Sequence, residues 1–255
     1  MIDTTSCPAD MRALLDAVGL APADVVQVIN THQHSDHTWG NQVFDCPILA
    51  HELCHAGMAA NLKGPWRLDE IRASIAARGE SDPEWAAEMR HKTEGLRITL
   101  PTETLSQRKA LEIGGVRLEV IHQDAHSPGL CVVWLPGAGV LYASDLIFEG
   151  RYPFIGDADL PELISVLGRL PEYGARAIVP GHGVLCGEAE IEALRSYLHE
   201  TWARTIDHLA QGHSADEAAA DPGYPRYAGG AAERYHEKNI RLIYRSLAGG
   251  DACPL

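Results

Sequence analysis

Thr31-His32-Gln33-His34-Ser35-Asp36-His37 puts four metal-ligating side chains into six residues, immediately after Val25-Val26-Gln27-Val28-Ile29, an apolar run that reads as a buried strand. This feature narrows the fold more than any other, because the end of a buried strand is where an α/β scaffold exposes its reactive side chains. In extended backbone His32, His34 and Asp36 share one face, and His37 joins them only if the chain turns. The segment is therefore expected to be a loop wrapped around metal. With histidine at about 0.05 of all residues, H-x-H-x-D-H arises by chance on the order of 0.002 times in such a length, so a scatter of surface histidines does not account for it.

A second metal signature competes nearby. His51-Glu52-Leu53-Cys54-His55 matches H-E-x-x-H, two imidazoles one helical turn apart with a general base between them. Its chance expectation is about 0.04, some twenty times higher, and no glycine-bearing extension follows to supply a third ligand. It reads as an ordinary helix after a short strand at Pro47-Ile48-Leu49-Ala50, with His51 at the cleft rim.

The rest of the chain sets limits on what this loop serves. At 255 residues and 45% hydrophobic, it can bury a proper core. Its 21 basic and 35 acidic residues leave a net charge of −14, which disfavours a nucleic-acid partner. There is no apolar run of the roughly 20 residues a membrane span needs, and Met1-Ile2-Asp3-Thr4 has no leader character, so the expected location is the cytoplasm, with no membrane partner. Cys7, Cys46, Cys54, Cys131, Cys186 and Cys253 form no C-x-x-C pair and read as reduced, mostly buried thiols. Ala9–Val18 has helical spacing, and a mostly helical, charge-mixed stretch follows from about 61 to 95. Strand texture runs from Lys109 to Ser144 through a Gly114-Gly115 turn. Asp159-Leu160-Pro161-Glu162 has the form of a helix start, Ala177-Ile178-Val179 reads as a buried strand, and a helical region from about 188 to 247 is broken by a loop at 221–230. With no repeat and no linker, the expectation is one domain over 1–255.

Three further segments extend the pattern: Ala125-His126-Ser127-Pro128-Gly129, Tyr142-Ala143-Ser144-Asp145 and Val179-Pro180-Gly181-His182-Gly183. With the His32 loop, and in this order, they resemble the four motifs of the metallo-β-lactamase-fold hydrolase superfamily, over roughly residues 2 to 190. The separation between His37 and His126 is long for that family, and the helical insertion at about 61–95 accounts for the excess. The resemblance implies an α/β fold of the αββα sandwich type, two sheets flanked by helices. It implies that His32, His34 and His126 hold one metal, that Asp36, His37 and His182 hold another, and that Asp145 bridges them. It also implies two Zn²⁺, with Fe or Mn also suited to such ligands, and a dinuclear zinc hydrolase whose metal-bridging hydroxide attacks a small ester, thioester or lactone carbonyl. Asp36 is then the candidate catalytic residue, orienting the nucleophile or carrying a proton.

The chain departs from the pattern at its start, where Ile2-Asp3-Thr4-Thr5 resembles a segment that usually follows two or three strands. The first sheet is accordingly expected to lack its first N-terminal strands, with an edge that a homodimer interface would cover. Aspartate at 145, where lactamases with a cysteine zinc ligand lack an acid, points to the glyoxalase II and lactonase-like branch. Phe148, where quorum-signal lactonases carry tyrosine, argues against that identity, and Arg151-Tyr152-Pro153-Phe154 only faintly resembles a glutathione-binding loop. β-Lactam hydrolysis, a mononuclear iron enzyme of the persulfide dioxygenase kind and a non-catalytic metal-binding protein are the alternatives. A small-molecule substrate is the expected partner. Trp66, Trp85 and the 148–154 loop are read as either core packing or an apolar lid over an acyl group.

Overall fold

Segments buried on both faces suit the interior of a parallel sheet. The computed structural model, which describes residues 1–227 and 233–249, builds such a sheet from β1 (Val28–Ile29), β2 (Ile48–His51) and β3 (Glu103–Leu105), all parallel and in that order. The chain divides into two compact units, Met1–Lys109 with Gly129–Cys131 and Ala110–Pro128 with Val132–Leu255. The three-stranded sheet belongs to the first. β1 is shorter than the apolar run that announces it: pairing with β2 begins at Val28↔Ile48, and Val26 is left exposed after a 3-10 turn at Pro22–Asp24.

Helix α1 (Pro8–Ala17) starts at Cys7, whose sulfur accepts the Asp10 N–H, with Pro8 in the first turn. Met11 and Leu15, one turn apart, bury its inner face against Val28, Val43, Phe44 and Ile48. Each such side chain contributes about 1.5–3 kcal/mol of burial. After β1 comes the short α2 (Ser35–Thr38), and after β2 comes α3 (Glu52–Asn61). The expected insertion contains α4 (Leu68–Arg78) and α5 (Pro83–Thr93), which bury Ile71, Ile75 and Ala86 with Trp39 and Leu96. Trp66 and Trp85 pack against this cluster, half-buried, so both serve the core of the insertion.

The sheet of the second unit runs β4 (Arg108–Ile113), β5 (Val116–His122), β6 (Cys131–Leu135), β7 (Val140–Phe148) and β8 (Ala177–His182). β6 and β7 are antiparallel and β7 and β8 parallel. Helix α6 (Leu160–Arg169) begins as its sequence foretells, with Asp159 accepting the Glu162 N–H at 3.1 Å, and buries Leu160, Leu163, Val166 and Leu167. Helices α7 (Glu188–Ala210), α8 (Ala215–Ala219) and α9 (Arg234–Leu247) complete the unit. Residues 228–230 of the expected 221–230 loop, and Cys253, lie outside the described residues. Among the described residues no helix is long and apolar enough to cross a membrane.

Candidate functional site

The seven candidate ligands fall four in the first unit and three in the second. In the first, β1 ends at Ile29, the chain bends at His32 and Gln33, and His34, itself extended, becomes the N-cap of α2. That helical turn is the bend His37 needs to join the other three. His32 Nε2 lies 2.9 Å from His34 Nδ1, with the rings edge to face. The His32 and His37 rings are 4.2 Å apart, and Asp36 Oδ2 lies 3.8 Å from His37 Nε2. His32 and His37 are buried, whereas the Asp36 side chain is 39% exposed.

Asp3 organises this loop. Its Oδ1 accepts the Thr31 N–H, and its Oδ2 accepts both the Thr31 hydroxyl and His37 Nδ1–H, each at 2.8 Å. A hydroxyl has one proton, and Thr31 spends it on Asp3, so the 3.1 Å contact between Thr31 Oγ1 and His32 Nδ1 has the imidazole as donor. His32 and His37 thereby both carry a proton on Nδ1, which leaves Nε2, turned to the cluster, as the nitrogen a metal would bind. Asn30 and Asn41 pair through both amides at 2.8 and 3.0 Å, and Asn30 Nδ2 also reaches the His37 carbonyl. Gly40 has no room for a side chain, since a Cβ would fall 1.8 Å from the Thr4 carbonyl oxygen, which itself lies next to Asp3.

In the second unit, Asp145 stands inside β7 rather than at its end. The β7–β8 register slips on either side of Ser144, which takes φ +52, so the strand is irregular where it presents the aspartate. Asp145 Oδ2 is 3.6 Å from His126 Nε2 and 3.4 Å from His182 Nε2, so a single carboxylate oxygen faces two imidazoles. His126 and Asp145 are buried, and His182 ends β8. Gly181 is required here because a Cβ would sit 1.8 Å from Asp145 Oδ1. The Ala125 carbonyl accepts the N–H of Asp159, which holds the His126 turn to the start of α6. Phe148 stacks on His182 at 4.9 Å and meets His126 at 5.7 Å, and Phe154 approaches His126 at 6.3 Å. The Phe148 carbonyl accepts the Tyr227 hydroxyl at 2.8 Å, and burial pushes that phenol up to about 12, which keeps it a donor.

Both donor sets are made of imidazole nitrogen and carboxylate oxygen, and neither contains sulfur, a composition suited to zinc and to other first-row divalent ions. The tautomers enforced through Asp3 and Thr31, and the room that Gly181 leaves around Asp145, fit bound cations. The rival motif is used otherwise. His51 closes β2 and caps α3, its Nδ1 accepting the Leu53 N–H at 3.1 Å and its Nε2 meeting the Ser106 carbonyl at 2.7 Å. The cysteines within the described residues are unbridged, and burial raises the Cys54 and Cys131 thiols, Cys131 to about 12. Asp3, Gly40 and Tyr227 escape sequence reasoning. Ile2-Asp3-Thr4-Thr5 is recognisable as a segment, but nothing in it shows that Asp3 will reach Thr31 and His37, 28 and 34 residues on, and only the glycine following Trp39 hints at a crowded turn.

Residues 1–182 match the family model of the metallo-beta-lactamase superfamily. An uncharacterized protein of Aquifex aeolicus is 27% identical over 157 residues, 60% of this chain and 61% of its own length. A hydroxyacylglutathione hydrolase of Gloeobacter violaceus is 26% identical over 167 residues, 65% of this chain and 52% of its own. The chain thus spans between half and two thirds of these relatives. Among solved structures, a metallo-beta-lactamase family protein of Thermus thermophilus shares the fold with a TM-score of 0.65 at 23% identity, over 97% of this chain and 84% of that one. That match takes in α7 to α9, which the family model does not reach.

Proposed function

The chain belongs to the metallo-beta-lactamase superfamily, and on that footing we propose that it is a metal-dependent hydrolase of a small ester, thioester or lactone. The observation that carries the reading is Asp145 Oδ2 set between His126 Nε2 and His182 Nε2, the arrangement of a carboxylate shared by two ions. In this reading His32, His34 and His126 serve one zinc-class ion, Asp36, His37 and His182 the other, and Asp145 both. Such a pair, if bound, would supply polarisation of a substrate carbonyl and a water whose pKa falls to about 7.

The protein's own groups do the rest. The Asp3–Thr31 relay ties up Nδ1 of His32 and His37 and fixes both rings in orientation with Nε2 towards the cluster, so no rotamer has to be found during turnover. Asp36, more open than Asp3 and Asp145, orients the attacking water and holds at Oδ2 the proton that passes to the leaving oxygen or sulfur. Phe148 and Phe154 pack on the imidazole side of Asp145 and exclude bulk water there. Similarity to a hydroxyacylglutathione hydrolase supports a thioester among the substrates.

The test combines elemental analysis of the isolated protein with hydrolysis of an ester, a thioester, a lactone and a chromogenic β-lactam, each with and without chelator. At least two zinc-class ions per chain and chelator-sensitive turnover of one of the first three are expected. Turnover of the β-lactam alone moves the substrate class, a single iron with oxygen uptake replaces hydrolysis by redox chemistry, and inactivity on all four leaves a metal-binding protein.

A further inference from the structure

Outside the candidate ligands, the first unit contains another set of metal-ligating side chains: Cys7, Asp10 and His91, whose donor atoms all lie within 4.8 Å of one another. Cys7 Sγ is 3.9 Å from His91 Nε2, which is 3.0 Å from Asp10 Oδ1. Tetrahedral zinc with bonds of about 2.3 Å to sulfur and 2.0–2.1 Å to nitrogen and oxygen sets S···N about 3.6 Å and N···O about 3.3 Å apart. Each observed separation is within about 0.3 Å of that value. Two elements remote in sequence supply the set. Cys7 caps α1 and Asp10 lies in its first turn, while His91 lies in the last turn of α5. The thiol is buried beneath the other two, and the side chains of Asp10 and His91 are 46% and 54% exposed, so a cation can enter from solvent.

We infer that Cys7, Asp10 and His91 form a structural site for a zinc-class divalent cation, tying the inserted helix α5 to α1. The donor chemistry selects the cation: thiolate and imidazole favour zinc and its neighbours over magnesium or calcium, which prefer all-oxygen sites. On binding, the Cys7 S–H bond breaks and its proton leaves to solvent. The hydrogen bond from His91 Nε2–H to Asp10 is exchanged for two bonds to the cation; the Nε2 proton passes to solvent and the neutral imidazole takes one from solvent on Nδ1. Thiolate and carboxylate together match the charge of a divalent ion, and water fills the fourth position. The inference stands apart from the proposed activity, because none of the three residues belongs to that ligand set.

Cobalt(II) tests it, since thiolate bound to cobalt gives a near-ultraviolet charge-transfer band, whereas the histidine and aspartate clusters contain no sulfur. Cobalt is titrated into the metal-stripped full chain. The expected result is a thiolate band whose full amplitude corresponds to one bound cobalt, over and above the cobalt taken by the sulfur-free clusters, that is displaced by zinc and disappears with that one cobalt in Cys7→Ser. His91→Gln, at an exposed position that leaves folding intact by circular dichroism, is expected to weaken the band's cobalt affinity by at least about tenfold. A wild-type chain with no such band at several equivalents of cobalt overturns the site. So does a band that survives Cys7→Ser, or one whose affinity His91→Gln leaves unchanged.

Discussion

Asp3 does for His32 and His37 what neither histidine can do for itself, fixing which ring nitrogen keeps its lone pair. Asp3→Asn removes the acceptor that takes two protons at Oδ2, so the tautomers are no longer enforced. The expected loss is about 10- to 100-fold in zinc affinity, read by competition with a chromophoric chelator; unchanged affinity would dismiss the relay. Asp36 differs in kind, being both a candidate ligand and the open carboxylate. Asp36→Asn at saturating zinc is expected to lower kcat by about 10²- to 10⁴-fold, the usual worth of a general acid–base group, and full activity in that variant would assign it no proton. The histidines and acids of the motifs were legible as residues because their types and order are unusual. Asp3 was not, because a lone aspartate far back in the chain has no local sign of what it will touch.

Elements rather than residues decide how the Asp145 region is supported. β7 continues through Asp145 to Phe148, beyond Ser144 where the strand texture of its sequence stops, because the slipped register with β8 resumes pairing at Phe148↔His182. Its far end is held by the segment that follows α8, where Tyr227 donates to the Phe148 carbonyl. Tyr227→Phe leaves that buried carbonyl without its donor and is expected to cost about 1–3 kcal/mol in urea unfolding; an unaltered midpoint would show the contact to be idle. The same segment meets α7 at Asp221. The Gly223 N–H, His208 and Arg204 lower that carboxyl from 3.8 to about 2. A carboxyl lowered on folding stabilises the fold above its unfolded value and loses that contribution as pH falls through the folded one. The stability gap between wild type and Asp221→Asn should therefore be full above about pH 4 and close towards pH 2, measured by thermal unfolding across that range. A gap independent of pH would place the effect in packing.

At the scale of the whole molecule, cations and stability are linked by mass action, with about 2.7 kcal/mol gained per site at a free ion concentration of 100 Kd. Zinc added to the stripped chain is expected to raise the unfolding temperature, and His37→Ala to shrink that rise; equal rises in both would remove His37 from the ligand set. By itself the sequence determined the fold family, the rough placement of the strands and helices, and the identity of the ligand-type residues, because periodicity, caps and ordered motifs are local patterns read along one chain. Only the tertiary structure decided that Nδ1 of His32 and of His37 carries a proton, why Gly40 and Gly181 admit no side chain, and that His51 caps α3. It also brought Cys7 next to His91. These outcomes depend on contacts between residues tens of positions apart, and hydrogen bonding and steric exclusion at such separations arise only once the backbone has closed around them.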